Sequence, residues 1–233
     1  RLDGDVIEGN RAVVSGLDGY GGAVATRDGA LLTVENAQIY DNSATMGGGV
    51  YIEDGDGSAI SGTLVYSNTA GMGGGVHVTV SAEVSLTGNQ VYDNSADYAG
   101  GILLNSSADA TLAGNYIHDN EAIGLGGGLW IASCDNARLT NNIIVDNTAG
   151  SDGGGVGCYH NASPSLYSNT IAGNGAGTFG GGVSLHDTSE MTLGDCIVWG
   201  NTGGEIVNIE GTITVTINGH DDGAVISGQD TGD

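Results

Sequence analysis

The feature of this sequence that most constrains its fold is an internal repeat of 26 to 27 residues. In each repeat a run of small residues, mostly glycines, precedes an aliphatic residue, and an Asn follows 18 positions later. The aliphatic positions are Val24, Val50, Val76, Ile102, Leu129, Val156 and Val183, and the Asn positions are Asn42, Asn68, Asn94, Asn120, Asn147, Asn174 and Asn201. The period changes from 26 to 27 by one extra residue between the Asn and the next glycines. Such periodicity predicts a solenoid, in which each repeat packs on its neighbours.

Apolar residues alternate over short stretches within each repeat, and this pattern is typical of strands rather than helices. Besides the glycine-preceded strand, two further inward columns run through Val34, Ile60, Leu86, Leu112, Leu139, Leu166, Leu193 and through Ile39, Val65, Val91, Ile117, Ile144, Ile171, Val198. Between these columns lie mostly residues that tolerate a left-handed bend, namely Asn36, Gly62, Gly88, Gly114, Asn141, Ser168 and Asp195. The sequence therefore predicts an all-β, single-stranded parallel β-helix with three short parallel sheets.

The coil length and the tight bend between two of the sheets favour the right-handed form. We expect residues 1–233 to form one domain, with regular coils over about 7–201. Residues 202–233 are expected to form a C-terminal coil, or a cap or assembly segment.

The repeated pattern GGG[VIL] followed by [IV]xxN resembles the repeats of pectate-lyase-like right-handed β-helices. More narrowly, it resembles the GGA[ILV] and FxxN repeats of polymorphic outer membrane proteins and autotransporter passengers. Ile or Val stands here where those repeats carry Phe. The resemblance implies a surface or secreted protein.

The net charge of −24 is the second constraint, because the chain has 28 acidic residues against four arginines and no lysine. This charge disfavours nucleic acids and anionic lipid surfaces and favours cations. No apolar run is long enough for a transmembrane segment. We expect an extracellular location, secreted or on a bacterial cell surface. The three cysteines are expected to be small core residues, namely Cys134, Cys158 and Cys196.

The repeated Asn is predicted to form a ladder in which each side-chain amide bonds to the coils above and below. The residue before it is often acidic, so that Asp93, Asp119 and Asp146 stack on successive coils and repel one another. Outward splay into water, a raised pKa or a bound Ca²⁺ would relieve this repulsion. Asp54 and Asp56, in the run EDGDGS, resemble half of a calcium loop, although such a run also forms ordinary turns.

Aromatic side chains recur at positions expected to face outward. One set comprises Tyr40, Tyr66 and Tyr92 with His118 and Trp199, and the other comprises Tyr51, His77 and Trp130. Both sets are candidates for stacking on sugar rings, although stacked aromatics also stabilise sheets without a ligand.

No catalytic residues are predicted, because the Asp and His candidates occupy repeated scaffold positions. The leading hypothesis is a non-catalytic extracellular structural solenoid, a surface stalk, adhesin passenger or filament subunit that calcium could stabilise. It would associate end to end through exposed terminal coils, or with flanking coils of a longer chain. The alternative is a carbohydrate-active β-helix that binds or cleaves polysaccharide along an exposed sheet.

Overall fold

The computed structural model describes residues 1–12 and 19–216, and these residues form 32 short strands in four parallel sheets with no helix among them. We name the sheets A to D in the order in which the chain enters them. Up to residue 186 each coil passes once through all four sheets in the same order, whereas the last coil goes from sheet B directly to sheet D. No described residues form a helix that could cross a membrane.

Sheets A and B contain the strands on either side of the first predicted bend. Sheet A consists of β1 (Leu2–Asp3), β5 (Thr33–Glu35), β9 (Ala59–Ser61), β13 (Ser85–Thr87), β17 (Thr111–Ala113), β21 (Asp135–Thr140), β25 (Ser163–Tyr167), β29 (Glu190–Gly194) and β32 (Thr212–Thr216). Sheet B consists of β2 (Val6–Glu8), β6 (Gln38–Tyr40), β10 (Leu64–Tyr66), β14 (Gln90–Tyr92), β18 (Tyr116–His118), β22 (Ile143–Val145), β26 (Thr170–Ala172) and β30 (Ile197–Trp199).

Sheets C and D contain the strands before and after the glycine run. Sheet C consists of β3 (Arg11–Ala12), β7 (Ser43–Met46), β11 (Thr69–Met72), β15 (Ser95–Tyr98), β19 (Glu121–Ala122), β23 (Thr148–Ala149) and β27 (Gly175–Ala176). Sheet D consists of β4 (Val24–Thr26), β8 (Val50–Glu53), β12 (Val76–Thr79), β16 (Ile102–Asn105), β20 (Leu129–Ala132), β24 (Val156–Tyr159), β28 (Val183–His186) and β31 (Ile206–Ile209).

The predicted repeat register is the observed register. Val50 pairs with Val76, Val65 with Val91, and Leu86 with Leu112, each with the equivalent residue of the next coil. The inward columns of sheets A, B and D fill one narrow core that runs along the axis. Cys134, Cys158 and Cys196 lie in this core as free thiols, and burial raises the pKa of Cys134 to about 11.

The prediction of three sheets is wrong, because a fourth, sheet C, follows the Asn in every coil from β3 to β27. Its inward column is almost entirely alanine, for example Ala44, Ala96 and Ala122, all buried. Alanines supply little of the apolar alternation that marks a strand in sequence. The extra residue of the 27-residue coils lies between the Asn and the glycines, in the segment that contains the sheet-C strand. These strands have four residues from β7 to β15 but only two from β19 to β27, where the coils are longer.

The glycines between sheets C and D are required by close backbone approach as much as by the bend. A Cβ on Gly48 would lie 2.3 Å from the carbonyl oxygen of Gly74, and a Cβ on Gly74 would lie 2.4 Å from that of Gly100. Both distances are far below van der Waals contact. The glycine run therefore lets each coil lie directly on the next.

The final coil is shorter than the others. Ile206 of β31 follows Asn201 after 5 residues, whereas Val183 follows Asn174 after 9. Strands β31 and β32 continue sheets D and A by one strand each. The rest of the predicted C-terminal coil or cap, residues 217–233, lies outside the described residues.

Candidate functional site

The predicted asparagine ladder is present at the corner between sheets B and C. Asn94 donates from both its backbone N and its Nδ2 to Oδ1 of Asn120, at 3.1 and 3.0 Å. The Nδ2 of Asn120 also donates to the carbonyl oxygen of Val91 at 2.9 Å. The same pair of bonds to the next Oδ1 recurs from Asn10 to Asn201 through Asn42, Asn68, Asn94, Asn120, Asn147 and Asn174. The ladder joins consecutive coils and satisfies polar groups that water cannot reach.

A second ladder, absent from the sequence analysis, lies at the corner between sheets A and B. Asn115 donates from N and Nδ2 to Oδ1 of Asn142, both at 2.9 Å, and Asn142 repeats this with Asn169, both at 2.9 Å. Thr63 and Asn89 extend the column toward the N-terminus. These residues repeat at 26 or 27 positions, directly after the predicted bend column, and that spacing is the signal that could have revealed them.

Each ladder Asn follows a residue in the left-handed conformation. Before the first ladder these are Gly9, Asp41, Ser67, Asp93, Asp119, Asp146, Gly173 and Gly200, with φ between 52° and 68°. Asp93, Asp119 and Asp146 are exposed, and Asp119 lies 2.7 Å from Nδ1 of His118. Because Asp and Gly tolerate this conformation better than most residues, the bend itself explains why they recur here.

Asp54 and Asp56 lie in the turn that follows β8. Asp54 occupies a left-handed bend after β8, with φ of 50°. Oδ1 of Asp56 accepts a hydrogen bond from the backbone N of Ala82 in the next coil, at 2.7 Å. Among residues 1–12 and 19–216, no group of three or more His, Cys, Asp or Glu side chains is placed to hold a metal ion.

The outer face of sheet B carries the first aromatic set, whose members Tyr40, Tyr66, Tyr92 and His118 form a continuous stack, with Trp199 two coils beyond Val145. Ring centroids are 4.7 Å apart between Tyr40 and Tyr66, 4.9 Å between Tyr66 and Tyr92, and 4.9 Å between Tyr92 and His118, with nearly parallel planes. Burial raises the pKa of Tyr66 and of Tyr92. Since the ring faces cover one another, mainly the edges of the inner rings remain for a ligand.

The same face is more exposed toward its C-terminal end. Trp199 is 60% exposed and Ile197 is 53% exposed, while Ile143 and Tyr116 are 47% and 39% exposed. Of these four residues, only Trp199 belongs to the predicted aromatic set. Together these four residues, which we call the exposed sheet-B strip, are the largest apolar side chains that this face offers to a partner.

The second aromatic set is not exposed, and this prediction is wrong. Tyr51 is 2% exposed, His77 is 3% exposed and Trp130 is 9% exposed. They lie on the outer side of sheet D, where segments that precede the glycine runs cover this side. There Met72 and Leu125 pack against a second apolar cluster that includes Trp130. Burial lowers the pKa of His77 to about 4. Buried rings offer no surface to a sugar, so this set is structural.

Polar groups interrupt the apolar cover over sheet D at Asp152. In its coil, Asp152 occupies the position that Met46, Met72, Tyr98 and Leu125 occupy in the preceding coils. Its Oδ2 accepts a hydrogen bond from the Tyr159 hydroxyl at 3.3 Å and lies 3.5 Å from Nε2 of His186. Burial lowers the pKa of His186, whereas the nearby Asp152 carboxylate opposes this shift. The side chains of Asp152 and His186 are mostly covered, at 15% and 14% exposed.

These observations define a parallel β-solenoid with laddered corners. The family model for a right-handed beta helix region matches residues 21–179 and 97–221. The chain therefore belongs to the right-handed β-helix family, and the expected handedness is confirmed. Searches of curated proteins and of solved structures found no match.

Proposed function

We propose that this chain is a non-catalytic structural β-solenoid that serves outside the cell as a rigid spacer: a surface stalk, an adhesin passenger or a filament subunit. The observation that carries this proposal is the constancy of the coil. From Val24 to Val183 each step of sheet D is 26 or 27 residues, and both ladders run across these coils. A substrate groove usually requires longer loops that break such regularity.

The eight strands of sheet D form a rod about 34 Å long, since each coil adds ~4.8 Å. The extracellular location is supported by the charge of −24 and the absence of lysine. Strands β1 to β4 each have one neighbour in the described chain. Such edges pair readily with other strands, which supports association of this end with flanking coils.

The proposal is tested with a panel of neutral, acidic and amino polysaccharides, by measuring new reducing ends and unsaturated uronates. We expect the wild-type chain to release no more product than the Asp152→Asn and Asp119→Asn variants. Turnover that is lost in either variant but retained in Asp41→Asn would contradict the proposal. Asp41 is the matched control, because it occupies the same bend position as Asp119 without a His beside its carboxylate.

The second candidate is a polysaccharide-binding protein, and the exposed sheet-B strip favours it. The strip itself is uncharged and is flanked by Asp119 and Asp146, so a neutral or cationic glycan suits it better than a uronate polymer. The chain has two tryptophans, of which Trp130 is buried and Trp199 exposed. A binding glycan would change the indole fluorescence of the wild-type chain but not that of Trp199→Phe. No change at any glycan concentration would exclude this candidate.

Calcium stabilisation remains a proposal. The exposed carboxylates of Asp93, Asp119 and Asp146 support it, because they recur at the same bend of successive coils. An ion bridging two coils would relieve their repulsion.

A further inference from the structure

The asparagine ladder between sheets B and C is directional. In each coil the backbone N and the Nδ2 of the Asn donate toward the following coil, and in several coils the backbone N of the bend residue does so as well. For Asn174 the two Asn groups donate to Oδ1 of Asn201 at 2.9 and 3.0 Å. The bend residue Gly173 donates to the carbonyl oxygen of Trp199 at 3.2 Å.

At Asn201 a single carboxylate takes over all three acceptor roles. Oε2 of Glu205 accepts from the backbone N of Asn201 at 3.3 Å and from its Nδ2 at 2.6 Å. Oε1 accepts from the backbone N of the bend residue Gly200 at 2.9 Å. Glu205 thus supplies from the same coil the contacts that the next coil supplies elsewhere.

The short final loop makes this arrangement possible. Glu205 follows Asn201 after 4 residues, through Gly203 and Gly204, whose φ angles are 96° and 98°. Side chains other than glycine rarely adopt these angles. The two glycines turn the chain back across the end of the ladder, and β31 begins directly after Glu205.

We propose that Glu205 is a built-in end cap that closes the ladder to a second copy of this chain. The opposite end of the ladder has the complementary chemistry. Asn10 donates from N and Nδ2 to Oδ1 of Asn42, both at 3.0 Å, as every later Asn does to its successor. Oδ1 of Asn10 is the same kind of acceptor as Oδ1 of Asn42, so its chemistry suits the donors that Glu205 occupies.

The cap has a clear consequence for assembly. Donors at one end and an acceptor at the other form a head-to-tail contact, which does not close on itself and extends into filaments. A carboxylate has no hydrogen to donate and repels an incoming amide oxygen. Glu205 therefore satisfies its own coil and excludes the second copy. Among the proposed roles, the cap therefore favours a stalk or an adhesin passenger over a filament of stacked copies, and it does not depend on the extracellular location.

The first experiment measures amide hydrogen exchange by NMR in Glu205→Ala, with Glu190→Ala as the control, since Glu190 is an exposed acid on β29 of the same coil. In Glu205→Ala we expect the amides of Gly200 and Asn201 to exchange roughly tenfold or more faster, because hydrogen bonds to a charged group are lost. The amide of Asn174 should keep its protection. Unchanged exchange at Gly200 and Asn201 would overturn the cap.

The second experiment measures self-association by sedimentation velocity over a range of concentrations. We expect Glu205→Ala to form larger species that the wild-type chain and Glu190→Ala do not form. Adding Asn10→Ala to Glu205→Ala should abolish them, with Asn10→Ala alone as the folding control by circular dichroism. A Glu205→Ala variant that stays as monomeric as the wild type, or association unaffected by Asn10→Ala, would overturn the exclusion of a second copy.

Discussion

Asn141 and Asn142 are adjacent residues of the same type with opposite roles, and they allow a matched test of the second ladder. Asn141 is exposed and adopts the left-handed bend, with φ of 54°. Asn142 is 1% exposed. Its Nδ2 donates to Oδ1 of Asn169 and to the carbonyl oxygen of Leu112, both at 2.9 Å. We compare Asn142→Asp with Asn141→Asp, which make the same change of one atom and one charge.

The expected difference follows from these contacts. Asn142→Asp replaces a donor by a charged oxygen that faces two acceptors, and an uncompensated buried charge costs about 4 kcal/mol. For a chain of this size roughly 2–4 °C corresponds to each kcal/mol, so the melting temperature falls by about 8–16 °C. Asn141→Asp keeps a residue suited to the bend and stays within about 0.5 kcal/mol of the wild type.

The pH dependence of this difference has a definite sign. The introduced carboxylate has a folded pKa above its unfolded value of about 3.9, because its charged form is disfavoured in the ladder. The penalty is therefore full at neutral pH and is relieved as the pH falls through the folded pKa. Thermal melts by circular dichroism at neutral and mildly acidic pH measure this. Equal melting temperatures for the two variants at neutral pH would refute the ladder as a source of stability.

Three further predictions concern other parts of the solenoid. Through His77 the wild-type chain should lose roughly 3 kcal/mol of stability as the pH falls from about 6.5 to 4, because the unfolded chain binds a proton there while the buried imidazole, with its pKa lowered to about 4, stays neutral. His77→Leu should abolish this loss. Urea unfolding at several pH values measures it, and an unchanged pH dependence in the variant would contradict the prediction. Gly74→Ala should prevent close stacking of coils and lower the melting temperature. Gly175→Ala, whose Cβ would have only an ordinary contact at 3.8 Å, should melt like the wild type. Similar melting temperatures for the two variants would contradict the close-approach explanation. If calcium bridges the acidic bends, melting in millimolar Ca²⁺ should exceed melting in EGTA by several degrees, and equal midpoints would remove the calcium proposal.

The fold could be predicted because repetition fixes register without local propensity. Val50, Val76 and Ile102 share one spacing, and the same spacing places Asn94 on Asn120. A column that keeps one residue type through every coil identifies both a strand position and a ladder.

The second ladder and sheet C were missed because their columns are chemically mixed or weakly apolar. The second ladder begins with Thr63 and reaches Cys196 beyond Asn169, so it does not present one residue type throughout. Sheet C contributes mainly alanines to the interior. Physical position in the coil, rather than residue identity, defines these two features.

The burial of Tyr51, His77 and Trp130 could not be predicted from alternation. Alternation shows only that these residues leave the main core, whereas their cover comes from Met72 and Leu125 in neighbouring segments. The role of Glu205 depends on a loop shortened by four residues, which places a carboxylate at a position that no repeat predicts.

Hydrogen exchange of the asparagine side-chain amides tests the central claim most directly, namely that two ladders hold this β-helix together. In a chain labelled with ¹⁵N only at Asn, the Nδ2 protons of the buried Asn94, Asn120, Asn115 and Asn142 should exchange slowly. Those of the exposed Asn141 should exchange at the rate of free asparagine. Uniformly fast exchange of all asparagine side chains would contradict the account.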